Sequence, residues 1–397
     1  MKKLLVLFIT IFVAAGQTVS ADNWAQKVKR NHIEFPGKFY TKEIKICSAL
    51  SGNKSYGRRS IVEQVEALIG YDWSSDHTKN SNSITVNHDG ITTPIKVMMT
   101  ATHNALSKRP CDGYDCYENV DEIKIAKRLL LDLAKVNTLY NSIGYYQVKE
   151  KPMCWENNDP NSPCWYHEYE FAAQWFANYM ITALWLSGEL NEQEFNVVNK
   201  YIELMYKKFL KPIEFKGQDR GFYAMANGGM PILIYASWTN NRKLAAEEIN
   251  FRFKEINRLF FDDGYINNNS FRGYRGQWYH SYGLDSALGY VYIAGIWGAR
   301  VPKKLHDKLV KASEVANLAI TDWDKFKSRE FSGDNRNKIS NKHSAIKHTH
   351  QMAIALDTLM EIVTGVKLAH DPVYLIKRKF HTKDGIDDLI GFNPNCI

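Results

Sequence analysis

Residues 263–298 read DGYINNNSFRGYRGQWYHSYGLDSALGYVYIAGIWG, and the two halves of this stretch obey different rules. The first is crowded with Asn, Arg, Tyr and His, whereas Ala287 to Trp297 is apolar on every side. A helix that is apolar all round is buried, so its polar approach forms the rim of a pocket. With the helix beginning at about Gly276, Tyr279 and His280 occupy its first turns, and Arg272 and Arg275 stand seven and four residues before Tyr279. A phenol ionises near pH 10 in isolation, and adjacent positive charge stabilises the phenolate. Tyr279 is therefore a candidate proton-transfer group. Spacing alone is equally compatible with a core aromatic whose hydroxyl is satisfied, flanked by surface arginines.

The chain around this stretch repeats a single theme. The broadly apolar segment Trp165–Leu186 precedes an amphipathic helix with Phe195, Val198, Ile202, Met205 and Phe209 on one face. The apolar segment Gly229–Trp238 precedes a second, with Ala245, Ile249, Phe253, Ile256 and Phe260. The buried helix after Tyr279 precedes a third, opened by Pro302 and carrying Leu305, Leu309, Ala312 and Ala316. Gln351–Gly365 adds a further inner-type helix. Three hairpins, each pairing a buried helix with a half-exposed one, predict an all-α fold: an incomplete (α/α) toroid with inner helices lining the middle and outer helices facing water. The starts of the inner helices then converge at one end as a cleft. Tyr279 lies at one start, Asn227 at another, and Trp165, Tyr166 and His167 at a third.

The rest of the chain sets the context. Residues 1–21 predict a signal peptide: Lys2 and Lys3, the apolar run Leu4–Ala15, and Val19-Ser20-Ala21 before Asp22. That run is too short to span a bilayer, which takes about 20 residues. The expected mature protein is exported, periplasmic or secreted, without membrane insertion, and monomeric. Residues 22–120 form an irregular N-terminal cap or lid region, with a short helix over Ser60–Ile69, two extended pieces around Asp89-Gly90 and a loop over Lys108–Tyr117. Residues 121–397 form the helical-toroid domain. Six cysteines in an exported chain favour disulfides; Cys111 with Cys116 and Cys154 with Cys164 are local choices that leave Cys47 with Cys396, although spacing does not fix the connectivity. No CxxC pair or HExxH helix is present, so no metal or other cofactor is expected.

The formal charge of +8, two units of it from Lys2 and Lys3, suits a polyanionic partner. The Lys and Arg residues are dispersed and carry no recognition motif, which disfavours nucleic acid. Aromatic residues make up 13% of the chain, with ten Trp and 22 Tyr, and flat rings stack on sugars. An acidic polysaccharide satisfies both features.

Gly264–Leu284, with Arg272, Arg275, Tyr279, His280 and Tyr282, resembles the catalytic segment of alginate-lyase-type polysaccharide lyases, which carry an Arg seven residues ahead of a Tyr-His pair. The match is close over about 20 residues, and the helical hairpins extend it across roughly Asp121 to Gly365. The resemblance implies that Tyr279 transfers the proton, that Arg272 is its electrostatic partner, and that Asn227 and His280 complete the catalytic set. Arg275, Tyr282, His167, Trp165, Gln174 and Trp175 would then bind substrate. One departure stands out: the family's Asn-Asn-His at an earlier inner helix corresponds here to Ala226-Asn227-Gly228, so the His is missing. Tyr279 would act as both base and acid, or His280, His167 or His103 would replace the imidazole, or the substrate would be a different polyuronate, or activity would be lost. The expected reaction is β-elimination on alginate or a related polyuronate. The alternatives are a glycoside hydrolase on an (α/α) toroid, using a carboxylate pair such as Glu168 and Asp285, and a non-catalytic polysaccharide-binding protein.

Overall fold

Asparagine and glycine punctuate the chain where one helix gives way to the next. A computed structural model describes residues 98, 102, 122–135, 137, 166–211, 214–215, 217, 221–222, 224, 229–272, 276–327 and 356–369. The signal segment, most of the 22–120 region with its helix and extended pieces, His103, all six cysteines and His343, His348 and His350 lie outside these residues.

Helix α1 (Glu122–Lys135) precedes α2 (Tyr166–Leu186), and the short 3-10 turn Ser187–Glu189 leads from α2 to α3 (Glu192–Met205). Asn191 starts α3 with a complete capping box: its Oδ1 accepts from the Glu194 amide at 3.0 Å, while Glu194 Oε2 accepts from the Asn191 amide at 2.8 Å. A π-helical turn, Tyr206–Leu210, continues α3. Helix α4 (Gly229–Trp238) turns into α5 (Arg242–Leu259) through Asn240, which takes the left-handed φ of 50°, and Asn241, whose side chain caps the Leu244 amide at 3.0 Å. Helix α6 (Gly276–Ile296) ends at Gly298, φ 89°, and α7 (Lys303–Thr321) follows Pro302; the short α8 (Trp323–Lys327) and α9 (Leu356–Thr364) complete the order. Among the described residues every regular element is helical, and the one strand-like pairing is an isolated antiparallel bridge between Phe260 and Ile266.

The helices pack as hairpins. Helix α4 lies on α5 and α6 on α7, while α2 packs on α4, α1 on α3, α5 on α7 and α9 on both α6 and α7. The apolar faces expected for the outer helices are the faces that pack inward: Ala245, Ile249 and Ile256 of α5 and Leu309 and Ala312 of α7 are all buried, as are Val198, Ile202 and Met205 of α3. Each large aliphatic side chain among them contributes about 1.5–3 kcal/mol by leaving water. Phe195 departs from this pattern. It is 37% exposed and stacks on Trp238 at 5.0 Å, because it lies in the first turn of α3, beyond the helices that cover the rest of that face. The Phe209 side chain lies outside the described residues.

Residues 229–237 of α4 and 283–291 of α6 are buried on all sides, as their compositions require. Residues 284, 287, 288, 290, 291, 293 and 294 of α6 are all in the core. One charged pair lies among these helices: Glu248 Oε1 accepts from Arg252 Nε at 2.6 Å, with both side chains fully buried. Gly229, the first residue of α4, makes room for it, since a methyl there would stand 2.9 Å from Arg252 Nε. Among the described residues no helix is long and apolar enough to cross a membrane.

Candidate functional site

The polar approach to α6 begins with a turn after α5. Its hydrogen bonds are local: the Gly264 amide donates to Phe261 O at 3.0 Å, the Phe261 amide to Tyr265 O at 2.9 Å, and the Asn267 amide to Leu259 O at 2.8 Å. Gly264 takes φ +89° and lies so close to the Lys311 carbonyl that any side chain would collide with the α7 backbone. Gly276 is equally constrained, since a methyl there would stand 2.5 Å from Ser270 O. The chain therefore enters α6 pressed against its own approach, and this fixes the geometry of everything that follows.

Arg272 leaves the end of that turn and its guanidinium carbon lies 4.0 Å above the centre of the Tyr279 ring. This is a cation–π stack, which stabilises by about 0.5–2 kcal/mol depending on how far water is excluded. Both residues are half-buried. The Trp278 ring adjoins Tyr279 at 4.7 Å, and half-buried Tyr282 follows one helical turn on.

The structure places His280 elsewhere. Successive residues on a helix diverge by about 100°, and His280 points into the core, fully buried. Its Nε2 faces the Ala312 carbonyl at 2.9 Å, a group that can only accept, so Nε2 carries the hydrogen. Its Nδ1 accepts from Ser270 Oγ at 2.8 Å, and Ser270 Oγ itself accepts from the Ile266 amide at 2.7 Å. Burial pushes the imidazole down to about 4, against the opposing pull of the Ala312 carbonyl. Both ring nitrogens are occupied and no face meets solvent. The expected proton-transfer role for His280 is therefore corrected: it is a core anchor that ties the turn and α6 to α7.

No family model, curated protein or solved structure matches this chain. The site stands on its own geometry.

The remaining expected residues divide by location. Asn227, Arg275 and Trp165 lie outside the described residues, and His167, Gln174 and Trp175 fall on α2 with side chains outside them. Asp285, one of the carboxylates considered for hydrolysis, is fully buried two turns into α6. Among the described residues no group of three or more His, Cys, Asp or Glu side chains could hold a metal ion. A surface groove of about 450 Å³ beside α1 gathers Lys124, Lys127, Arg128 and Lys135, but Asp132, Glu189 and Glu194 line it too, and Lys127 Nζ stands 2.8 Å from Glu194 Oε2.

Sequence reasoning passed over Asn269 and Ser270. Both read as undistinguished members of a polar approach, yet both are buried, Asn269 completely. The side chain of Asn269 donates from Nδ2 to Tyr279 O and accepts at Oδ1 from the Phe222 amide, each at 2.9 Å. A signal was present: a short polar side chain just before an all-buried helix must find partners within the protein.

Proposed function

We propose that the protein is an exported polysaccharide lyase that cleaves alginate or a related polyuronate by β-elimination on an incomplete (α/α) toroid, with Tyr279 as the proton-transfer residue. The observation that carries this reading is the Arg272 guanidinium stacked 4.0 Å over the ring of half-buried Tyr279. The toroid is supported by two successive packed pairs of a buried helix and a half-exposed one, α4 with α5 and α6 with α7.

β-Elimination removes the C5 proton of a uronic acid and expels the 4-linked sugar. The C5 proton is weakly acidic until the neighbouring carboxylate is neutralised, so the charge that develops on that carboxylate must meet fixed donors. A donor of this kind is worth about 3–4 kcal/mol in other enzymes. Arg272 supplies one positive group beside the phenol, and Asn227 and Arg275 are the expected further donors. Tyr279 takes the C5 proton and returns one to the leaving oxygen, which requires both atoms within about 3 Å.

The occupied nitrogens of His280 bear on the missing family imidazole. They leave Tyr279 acting alone, or His167 or His103, as the candidates for the base. The burial of Asp285 counts against the paired-carboxylate hydrolase.

Mass analysis of the products tests the reading. Each elimination yields one fragment that is one water lighter than its hydrolytic counterpart and carries a double bond at its new non-reducing end, beside one ordinary fragment with a new reducing end, and Tyr279→Phe should stop formation of the unsaturated fragment while leaving the fold intact. Hydrated fragments would make the protein a hydrolase, and intact polymer with measurable binding would make it a binding protein.

A further inference from the structure

The candidate site draws on two separated stretches, and a single side chain joins them. We infer that Asn269 is a positioning residue that locks the first turn of α6, carrying Tyr279, to the Phe222 backbone ahead of α4. The approach is held at two points. The Phe222 amide donates to Asn269 Oδ1 at 2.9 Å, and two residues on, the Ala224 carbonyl accepts from the Met230 amide in the first turn of α4 at 2.8 Å.

The other arm of the same amide donates from Nδ2 to Tyr279 O at 2.9 Å. The turn that contains Asn269 also delivers Arg272, through the Ser270 amide to Ile266 O at 3.0 Å and the Phe271 amide to Asn268 O at 3.3 Å. Arg272, Tyr279 and the backbone at Phe222 are thus registered against one fully buried side chain. Its chemistry is specific, because one planar group must donate on one side and accept on the other. A primary amide does this at neutral pH, a carboxylate only accepts, and an aliphatic side chain does neither. Gly283 shows how closely the clamp is fitted: a methyl there would stand 2.5 Å from Asn269 Nδ2.

The catalytic consequence rests on the lyase reading, so the test has one arm that needs no activity. The full chain is labelled with 3-fluorotyrosine, and the Tyr279 fluorine resonance is assigned by its loss in Tyr279→Phe. Asn269→Leu and Asn269→Asp are then compared with wild type by that resonance and by kcat and KM on polyuronate across pH. In Asn269→Leu the Tyr279 resonance should move and kcat should fall about 100-fold, the cost of a small misplacement of a reacting group. Asn269→Asp should resemble it at neutral pH, where a carboxylate faces the Tyr279 carbonyl. As acid protonates the Asp and restores a donor, both its resonance and its rate relative to wild type should return towards normal.

A Tyr279 resonance unmoved in Asn269→Leu, or an Asn269→Asp profile parallel to wild type at all pH values, would overturn the clamp. If Asn269→Leu fails to fold, the pH-dependent return of Asn269→Asp decides the matter. A wild-type protein inactive on every polyuronate would overturn the lyase reading, and the fluorine resonance would still judge the clamp.

Discussion

At the scale of single residues, the contact between Arg272 and Tyr279 depends on a flat guanidinium as well as on its charge. Lysine at position 272 would keep the charge and lose the stacking plane. Initial-rate measurements on polyuronate should therefore rank wild type above Arg272→Lys and Arg272→Lys above Arg272→Ala, with the alanine variant down about 10²–10³-fold. Equal rates for Lys and Ala would show that charge at this position does no work.

His280 gives a second prediction, about stability. Its folded pKa of about 4 lies below the ordinary value of 6.5, so the native state favours the neutral ring. The stability this supplies is complete above pH 6.5 and is lost as pH falls through that value towards 4, by on the order of 3 kcal/mol. Glu214 works in the opposite sense. Burial and the nearby Glu248 carboxylate push it up to about 7, so it costs stability at neutral pH and ceases to cost it on acidification. The difference in melting temperature between wild type and His280→Gln removes the Glu214 contribution. It should be largest above pH 6.5 and shrink between pH 6.5 and 4; a difference constant with pH would contradict the buried neutral ring. The seven-residue spacing made the Arg272–Tyr279 pair legible in the sequence. The role of His280 was not, because adjacency in sequence to Tyr279 says nothing about the carbonyl of Ala312, 32 residues away.

At the scale of elements, the apolar helices were legible because their composition leaves no exposed face to choose. The apolar segment expected over Gly229–Trp238 is α4 to the residue, bounded by glycine on one side and by Thr239 and Asn240 in a turn on the other. Amphipathic helices were legible as faces and less so at their ends, as exposed Phe195 illustrates. The buried pair of Glu248 and Arg252 on α5 was not foreseen, since periodicity treats both as surface charges. That pair makes a sharp prediction. Arg252→Leu leaves Glu248 buried without its counter-ion and should destabilise by about 3–5 kcal/mol in urea unfolding. Adding Glu248→Leu should recover much of that loss, because the desolvated charge is then gone; a double variant no more stable than Arg252→Leu would contradict this.

At the scale of the whole molecule, the all-helical class follows from the periodicity along the chain, and among the described residues every regular element is helical. The candidate site was legible only in part. The Arg272–Tyr279 contact sits at the start of an apolar helix, but the clamp through Asn269 spans 47 residues to Phe222 and leaves no local pattern. Net positive charge is likewise a whole-molecule property, and it should make polyuronate binding fall as ionic strength rises. Titration of Tyr279→Phe with oligouronate at several salt concentrations measures this, and an affinity indifferent to salt would remove the argument from charge.

The most direct measurement is ultraviolet absorbance from unsaturated uronate, followed while wild type and Tyr279→Phe are each incubated with alginate, polymannuronate, polyguluronate, glucuronan and hyaluronan. The expected result is a steady rise for wild type on at least one polymer and a rate at least ~10²-fold lower for Tyr279→Phe on the same polymer. A flat wild-type trace on all five, or equal rates for the two proteins, would contradict β-elimination at Tyr279.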